Sequence, residues 1–526
     1  MLRSLIFAGS VTIAVLALLI SQWTPPSAPH VEHIRQGRNN TVLILSNNEH
    51  GLSNVHVATA YALLERHPEV EVHYASFAPM GRKLGRVSDR ARQINPAARS
   101  IVYHELPAEL SFMTSGRKNG EGPVDVLHSP GLGSIKTVTK FMPWIVSIWS
   151  GEDHLALFEK ITDVIDEVDP SLVVLEVFLR PAIDAVYNRS RLHAYISPLT
   201  PLEHFAIEQP YGSWLWKYPV MGSGIPFPVP WTRMLENIYI NLRFYYSMFR
   251  MAGQTDKNKY LESKGLVYPI SWFNFRNANV PWISQAVPGA STPLDVLPQN
   301  VTLTGPILLS MATAEEQAPE LTKWLARAPT VLISLGTIFI YTEAQATAMA
   351  QAIADTLISR PDLQVLWKFM KATDANGTSY SDEFLEPLRP FLENGRLKME
   401  TWLDVQPVTL LETGYIVLSV HHGGAGCYHE ALATGVPQMV LPQWLDHFSF
   451  AQLSQDIGVG VWGCSEASPF WGATCLRDAF ATVLDSEKSA QIQEKAKHFG
   501  DIAKRNPGQY VAADEIAKWA ASGYAS

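Results

Sequence analysis

Short apolar runs alternate along this chain with longer segments in which apolar residues recur every three or four positions. Thr41-Val42-Leu43-Ile44-Leu45-Ser46 is the first such run and predicts a strand buried on both faces. Residues 47–51 read as a turn, after which Ser53 or Asn54 caps a helix carrying Val57, Ala60, Leu63 and Leu64. A second strand is predicted over 69–75. Strand, turn, helix, strand is how a doubly wound domain opens, with its ligand face at the strand C-termini. The alternation returns in the second half, with strands predicted at 331–334, 365–367, 416–420 and 438–441. Between the halves, residues 211–252 are rich in aromatics: a loop-like, Pro/Gly-broken first part, then a helix with a broad apolar face over 234–251.

The most specific chemistry follows the run Tyr415-Ile416-Val417-Leu418-Ser419-Val420. There the chain turns through His421, His422, Gly423, Gly424 and Gly426 into a helix-like segment carrying Glu430. Bare backbone N–H groups and a helix dipole meet an anion in this arrangement, and glycines let a phosphate approach the main chain. His422 adds a side-chain donor, and Glu430, about one turn on, suits a ribose diol. Gly435-Val436-Pro437 stops the helix, and Met439-Val440-Leu441-Pro442 leads to Asp446 and His447 at the same sheet edge. The set describes a nucleotide-diphosphate site with polar groups beyond the phosphates.

At these residues the chain resembles the UDP-glycosyltransferase family (UDP-glucuronosyl and UDP-glucosyltransferases), in the manner of a fungal-type member. Its signature runs HGG-x-x-S-x-x-E-A, then GVP, P-x-x-x-DQ and G-x-G. The resemblance is specific in the C-terminal half and looser in the N-terminal half. It implies that His422, Gly424 and the turn through Gly426 hold a donor diphosphate, Glu430 the ribose, and Asp446 the sugar hydroxyls. Cys427 stands where the family has a phosphate-binding Ser. His447 stands where Gln is usual, which leaves glucose, galactose and glucuronic acid open as the sugar. Trp402 is similar to the family's uracil-stacking Trp, with Val405 and Gln406 near the base edge. The ending of Thr330-Val331-Leu332-Ile333-Ser334-Leu335-Gly336-Thr337 resembles the family's first C-terminal loop and places Gly336 and Thr337 toward the phosphates.

The family's acceptor base is a His after a turn glycine, and here Leu52 takes that position. His50 and His56 flank it, and either imidazole suits proton abstraction from a hydroxyl. Glu176, at the end of the apolar run 171–175, stands where the family orients its base with an Asp. The aromatic 211–252 region corresponds to the family's acceptor pocket and lid, implying a lipophilic acceptor or membrane contact.

The chain's 526 residues suit two domains rather than one, and 47% hydrophobic with 17% charged residues is a globular composition. A net charge of −9 argues against a nucleic-acid partner. Cys427, Cys464 and Cys475 form no disulfide framework and no metal spacing; Cys464 and Cys475 either pair or remain thiols. An apolar run over 5–20 follows Arg3 and fits a signal peptide or a short signal anchor within residues 1–25. With sequons at Asn39, Asn188, Asn300 and Asn376, it points to the secretory pathway: a lumenal body on the endoplasmic reticulum membrane, or a secreted one if the segment is cleaved.

The expected architecture is therefore α/β and GT-B: two doubly wound Rossmann-like domains facing each other across a cleft. Residues 40–285 form the acceptor domain, 286–306 a linker, 307–490 the UDP-sugar domain, and 491–526 a helix returning to the first. The expected activity is inverting transfer of a hexose from a UDP-sugar co-substrate to a lipophilic hydroxyl acceptor, with no permanently bound cofactor and no metal. The alternatives are a catalytically silent nucleotide-sugar-binding subunit and, on the same fold, an epimerase or hydrolase.

Overall fold

The computed structural model describes residues 34–118, 126–266, 269, 280–373, 378–485 and 487–524. The N-terminal 1–25 segment and the Asn376 sequon lie outside them. Two parallel sheets organise the chain. The first contains β1 (Arg38–Leu45), β2 (Glu71–Phe77), β3 (Val102–Leu106), β4 (Pro170–Leu175), β5 (His193–Ser197), β6 (Trp282–Gln285) and β7 (Val301–Thr304). Its order is β3-β2-β1-β4-β5-β6-β7. The second contains β8 (Thr330–Ile333), β9 (Gln364–Lys368), β10 (Leu397–Glu400), β11 (Ile416–His421), β12 (Gln438–Val440) and β13 (Gly460–Trp462). Its order is β10-β9-β8-β11-β12-β13.

Every residue of β4 and β8 is buried, as helices on both faces of a parallel sheet require. Strand order reverses between β1 and β4 in one sheet and between β8 and β11 in the other. Those reversals open crevices at the strand C-termini, where an open α/β sheet takes its ligands. His50 and Glu176 follow β1 and β4, while Gly336 and His422 follow β8 and β11, so both switch points carry the candidate residues.

The lobe boundary differs from expectation. The stretch 286–306 contains β7, which pairs with β6 from Trp282↔Val301 to Gln285↔Thr304 and completes the first sheet. The chain leaves the first lobe only beyond β7: Ile307 and Leu309 still pack in the first-lobe core, and Ala314 is buried in the second. The return also comes later than residue 491. Helix Glu487–Lys504 still packs on the second lobe, with Ala496, Phe499 and Ala503 in a cluster around Tyr428 and Leu432. Only helix Gly508–Ala520 lies on the first lobe, burying Ala512, Ala513, Ile516 and Ala520 against Val57, Leu64 and their neighbours. The Asn39 N–H then donates to the Tyr524 carbonyl at 2.7 Å, tying the returning segment to β1. The outgoing and returning segments touch: the Gly508 N–H donates to the Pro306 carbonyl at 3.0 Å. A Cβ on Gly305 would fall 2.0 Å from the Asn506 carbonyl oxygen, and one on Gly508 would fall 2.0 Å from that of Gly305. Only glycine permits this approach.

Candidate active site

β11 ends in two histidines with opposite surroundings. His421 is inside the sheet: its Nε2–H donates to Gln438 Oε1 at 2.8 Å and its Nδ1 accepts the Gly423 N–H at 3.1 Å. His422 lies between two glycines, where a Cβ on Gly336 or Gly424 would come within 2.7 or 2.5 Å of its ring. Burial pushes the His422 pKa down to about 3, with His421 adding to the effect, so the ring is a neutral donor or acceptor. Helix Ala425–Thr434 starts immediately beyond, and its N-cap, Gly424, has no side chain to satisfy the first-turn N–H groups. Space around Gly426 is open. Cys427 Sγ approaches His422 Nδ1 at 3.9 Å.

Several groups converge around this helix start. Lys368 ends β9, donates to the Gly336 carbonyl at 2.8 Å and stands 4.3 Å over the Trp402 ring. Burial lowers its pKa. Trp402 is 46% exposed, Val405 is buried, and Gln406 keeps a buried Oε1 with no partner. Thr337 is exposed beside Gly336. Glu430 has its pKa raised to about 8, by burial first and by Glu412 second. A carboxylate so placed gains most from a ligand that brings hydroxyl donors.

Asp446 and His447 are presented by a turn across Trp444-Leu445-Asp446-His447, closed by the His447 N–H donating to the Trp444 carbonyl at 3.0 Å. Leu445 adopts φ 37°, ψ −119°, a type II′ position that favours glycine. Holding a leucine there costs on the order of 1–3 kcal/mol. The His447 ring meets that of His422 edge-on at 4.5 Å and keeps a buried Nδ1 with no partner. Burial raises the Asp446 pKa to about 7, helped by Glu203.

The first lobe corrects three expectations. The helix begins at His50 and not at Ser53, with Glu49 as its N-cap, so His50 stands in the first helical turn and not in a preceding loop. Its exposed ring is 6.3 Å from that of Trp402, across the interlobe cleft. Desolvation by the walls of the cleft, and next the Lys83 charge, lower its pKa to about 4, against an opposing hydrogen bond with the Asn54 side chain. His56 is fully buried one and a half turns on, with Nδ1 3.1 Å from the Leu52 carbonyl and Nε2 3.4 Å from that of Leu175. It does not reach the cleft, because six residues of helix turn it onto the sheet. Glu176 accepts from Asn47 Nδ2 at 2.6 Å and from the Phe178 N–H at 2.7 Å. It therefore orients Asn47 rather than a histidine, and burial raises its pKa to about 7.

Sequence reasoning passed over Lys368, Glu49 and His128. Lys368 had a legible signal, a lone cation closing the apolar run Val365-Leu366-Trp367. Glu49 keeps a buried Oε2 without a partner beside His50, and nothing in its local sequence marks it. His128 contacts the Leu445 turn only through tertiary structure.

Residues 403–517 match the family described as "Erythromycin biosynthesis protein CIII-like, C-terminal domain". Glycosyltransferase sdnJ of Sordaria araneosa is 32% identical over 509 residues, spanning 90% of this chain and 97% of that relative. The chain belongs to the glycosyltransferase family. The glycosyltransferase also superposes on a UDP-glucosyltransferase from Polygonum tinctorium capable of glucosylating indoxyl, with TM-score 0.59 and 16% identity over 95% of this chain and 100% of that one. A UDP-glucose: anthocyanidin 3-O-glucosyltransferase in complex with UDP gives TM-score 0.56 and 15% identity over 93% and 100%. The fold of this glycosyltransferase is GT-B.

Proposed function

We propose that the enzyme moves a hexose from a UDP-sugar to a hydroxyl of a lipophilic small molecule by a single inverting displacement. The observation that carries this reading is the uncapped helix start at Gly424, flanked by neutral His422 and by Lys368, and facing His50 across the cleft. In the proposal the diphosphate lies on the first-turn N–H groups, Glu430 takes the ribose diol and uracil lies on Trp402 with Val405 and the unpaired Gln406 Oε1 at its edge. Gly336, Thr337, Gly426 and Cys427 line the phosphates, and Asp446 with His447 grips the sugar. The acceptor hydroxyl gives its proton to the neutral His50 imidazole as its oxygen bonds to the anomeric carbon. The bond from that carbon to the diphosphate oxygen breaks, and UDP leaves with the electron pair. Charge growing on the leaving group is met by backbone donors, His422 and Lys368.

The neighbours named for indoxyl and anthocyanidin are precedents for a small-molecule acceptor. The aromatic region supports a lipophilic contact in a different way from that expected. Tyr211, Trp231, Leu235 and Tyr246 are all more than 60% exposed, an outward surface rather than a pocket lining. Among the described residues no helix is long and apolar enough to cross a membrane. Association with a bilayer therefore rests, in this proposal, on that surface and on the apolar run over 5–20. The Cys464–Cys475 disulfide supports a secretory, oxidising compartment. The sequons add less: the Asn188 and Asn300 amides already donate to the carbonyls of Asp184 and Val280.

The deciding experiment measures UDP release from UDP-glucose, UDP-galactose and UDP-glucuronate, repeated in Glu430→Ala and His50→Ala. Turnover of one donor, lost in both variants, is expected and names the sugar. UDP binding without turnover, with and without candidate hydroxyl acceptors and indifferent to His50→Ala, would leave the silent binding subunit as the better reading.

A further inference from the structure

The turn that presents Asp446 and His447 belongs to the second lobe, yet its geometry is held by the first. His128, on a first-lobe loop, makes three directional contacts there. Its backbone N–H donates to the Gln443 carbonyl at 3.3 Å, its Nε2 accepts the Leu445 N–H at 2.9 Å, and its ring lies 4.8 Å from that of Phe448. The Nδ1–H donates to the Ser129 carbonyl at 2.8 Å, which fixes the tautomer so that Nε2 is the acceptor. The Leu445 side chain is 5% exposed and sits among Val138, Met142, Val220 and Ile240 of the first lobe. The loop itself is braced, with the Gly131 N–H donating to the Ser223 carbonyl at 2.8 Å. Leu445 thus carries a backbone conformation that leucine disfavours, held by a hydrogen bond at its N–H and by an apolar socket, both from the opposite lobe.

We infer that His128 is a positioning residue: it holds the Leu445 turn so that Asp446 and His447 face the donor sugar only when the lobes are docked. The assignment of the sugar to Asp446 and His447 rests on the proposed function. The latch itself rests on the geometry alone. Neither His128 nor Leu445 belongs to the phosphate-binding turn, so the latch acts chiefly on the sugar end of the donor and reaches the nucleotide end only through the His447–His422 ring contact. It makes acceptance of the sugar conditional on the acceptor lobe being in place, a selectivity that the second lobe alone does not have.

The test uses the full chain with His128→Ala and His128→Gln, the glutamine offering a neutral acceptor oxygen near the Nε2 position. Amide exchange over residues 443–448 is measured without ligand, with UDP affinity and donor kcat/KM alongside. The donor is whichever of UDP-glucose, UDP-galactose and UDP-glucuronate the wild type turns over. Expected for His128→Ala are at least tenfold faster exchange in that segment, UDP affinity within twofold of wild type, and at least fivefold lower donor kcat/KM. His128→Gln should recover most of each loss. Unchanged exchange overturns the latch. So does an equal loss of UDP affinity and donor turnover, or a glutamine variant as impaired as alanine despite the same melting temperature as wild type. If wild-type protein binds no UDP, the nucleotide reading fails instead, and the exchange measurement still decides whether His128 holds the turn.

Discussion

Glu430 is a buried carboxyl group whose ionised form the fold disfavours. Its pKa in the folded chain is about 8, above the ordinary 4.5, so folding takes up a proton between those values. Stability from this residue is then fully present below about pH 4.5 and is lost as pH rises toward 8. Glu430→Gln should raise the melting temperature at pH 8 clearly more than at pH 4.5, while weakening UDP binding at least tenfold. Calorimetry at both pH values with a UDP titration checks both halves. His50 has the opposite displacement, to about 4, and is therefore neutral over the whole physiological range. As the proposed base it should itself add no limb to kcat/KM between about pH 8 and 5, its own acid limb falling near pH 4. A limb near 6.5 that vanishes in His50→Ala would contradict that environment. The placement of His422 and Glu430 was legible in the sequence because it depends on distance along one turn and one helix. His56 was not, because whether it meets the cleft or the sheet depends on where the helix begins. Glu49 caps that helix by backbone position without any side-chain bond to announce it.

At the level of elements, the two strand-to-helix turns of the second lobe work as one cradle for His422. Gly336 comes from the loop after β8 and Gly424 from the loop after β11, and the ring fills the space that a Cβ on either would take. Gly424→Ala should displace the ring and cut UDP affinity at least tenfold. The melting temperature should change little, since φ −62° at this position suits alanine. Isothermal titration with UDP alongside a thermal melt separates the two effects. Buried strands were readable because β4 and β8 lack any polar residue facing solvent, so unbroken apolar runs mark them. β7 was not: Val301-Thr302-Leu303-Thr304 is an edge strand with two residues open to solvent and prolines on both sides, which reads as connector. The Leu445 turn was equally hidden, since a leucine at a type II′ position is stabilised by contacts more than 190 residues away in the chain.

For the whole molecule, the disulfide and the crossing segments set how the lobes behave. Cys464–Cys475 closes a short loop in the second lobe and contributes about 3 kcal/mol on loop entropy. Cys464→Ser should therefore lower the melting temperature by several degrees. Under denaturing, non-reducing conditions the wild type should yield one reactive thiol, that of Cys427. Recovery of three thiols would show that the pair does not form in the protein as produced. The glycine-packed contact between residues 305–306 and 506–508 has a mechanical result. One strand of chain between two bodies is a swivel, free to bend and to twist. Two strands of chain held together at one point share a pivot there, which limits independent twisting of either. Opening of the cleft should turn about that shared pivot, so that Trp402 and His50 part and meet again in the same alignment each time the lobes close.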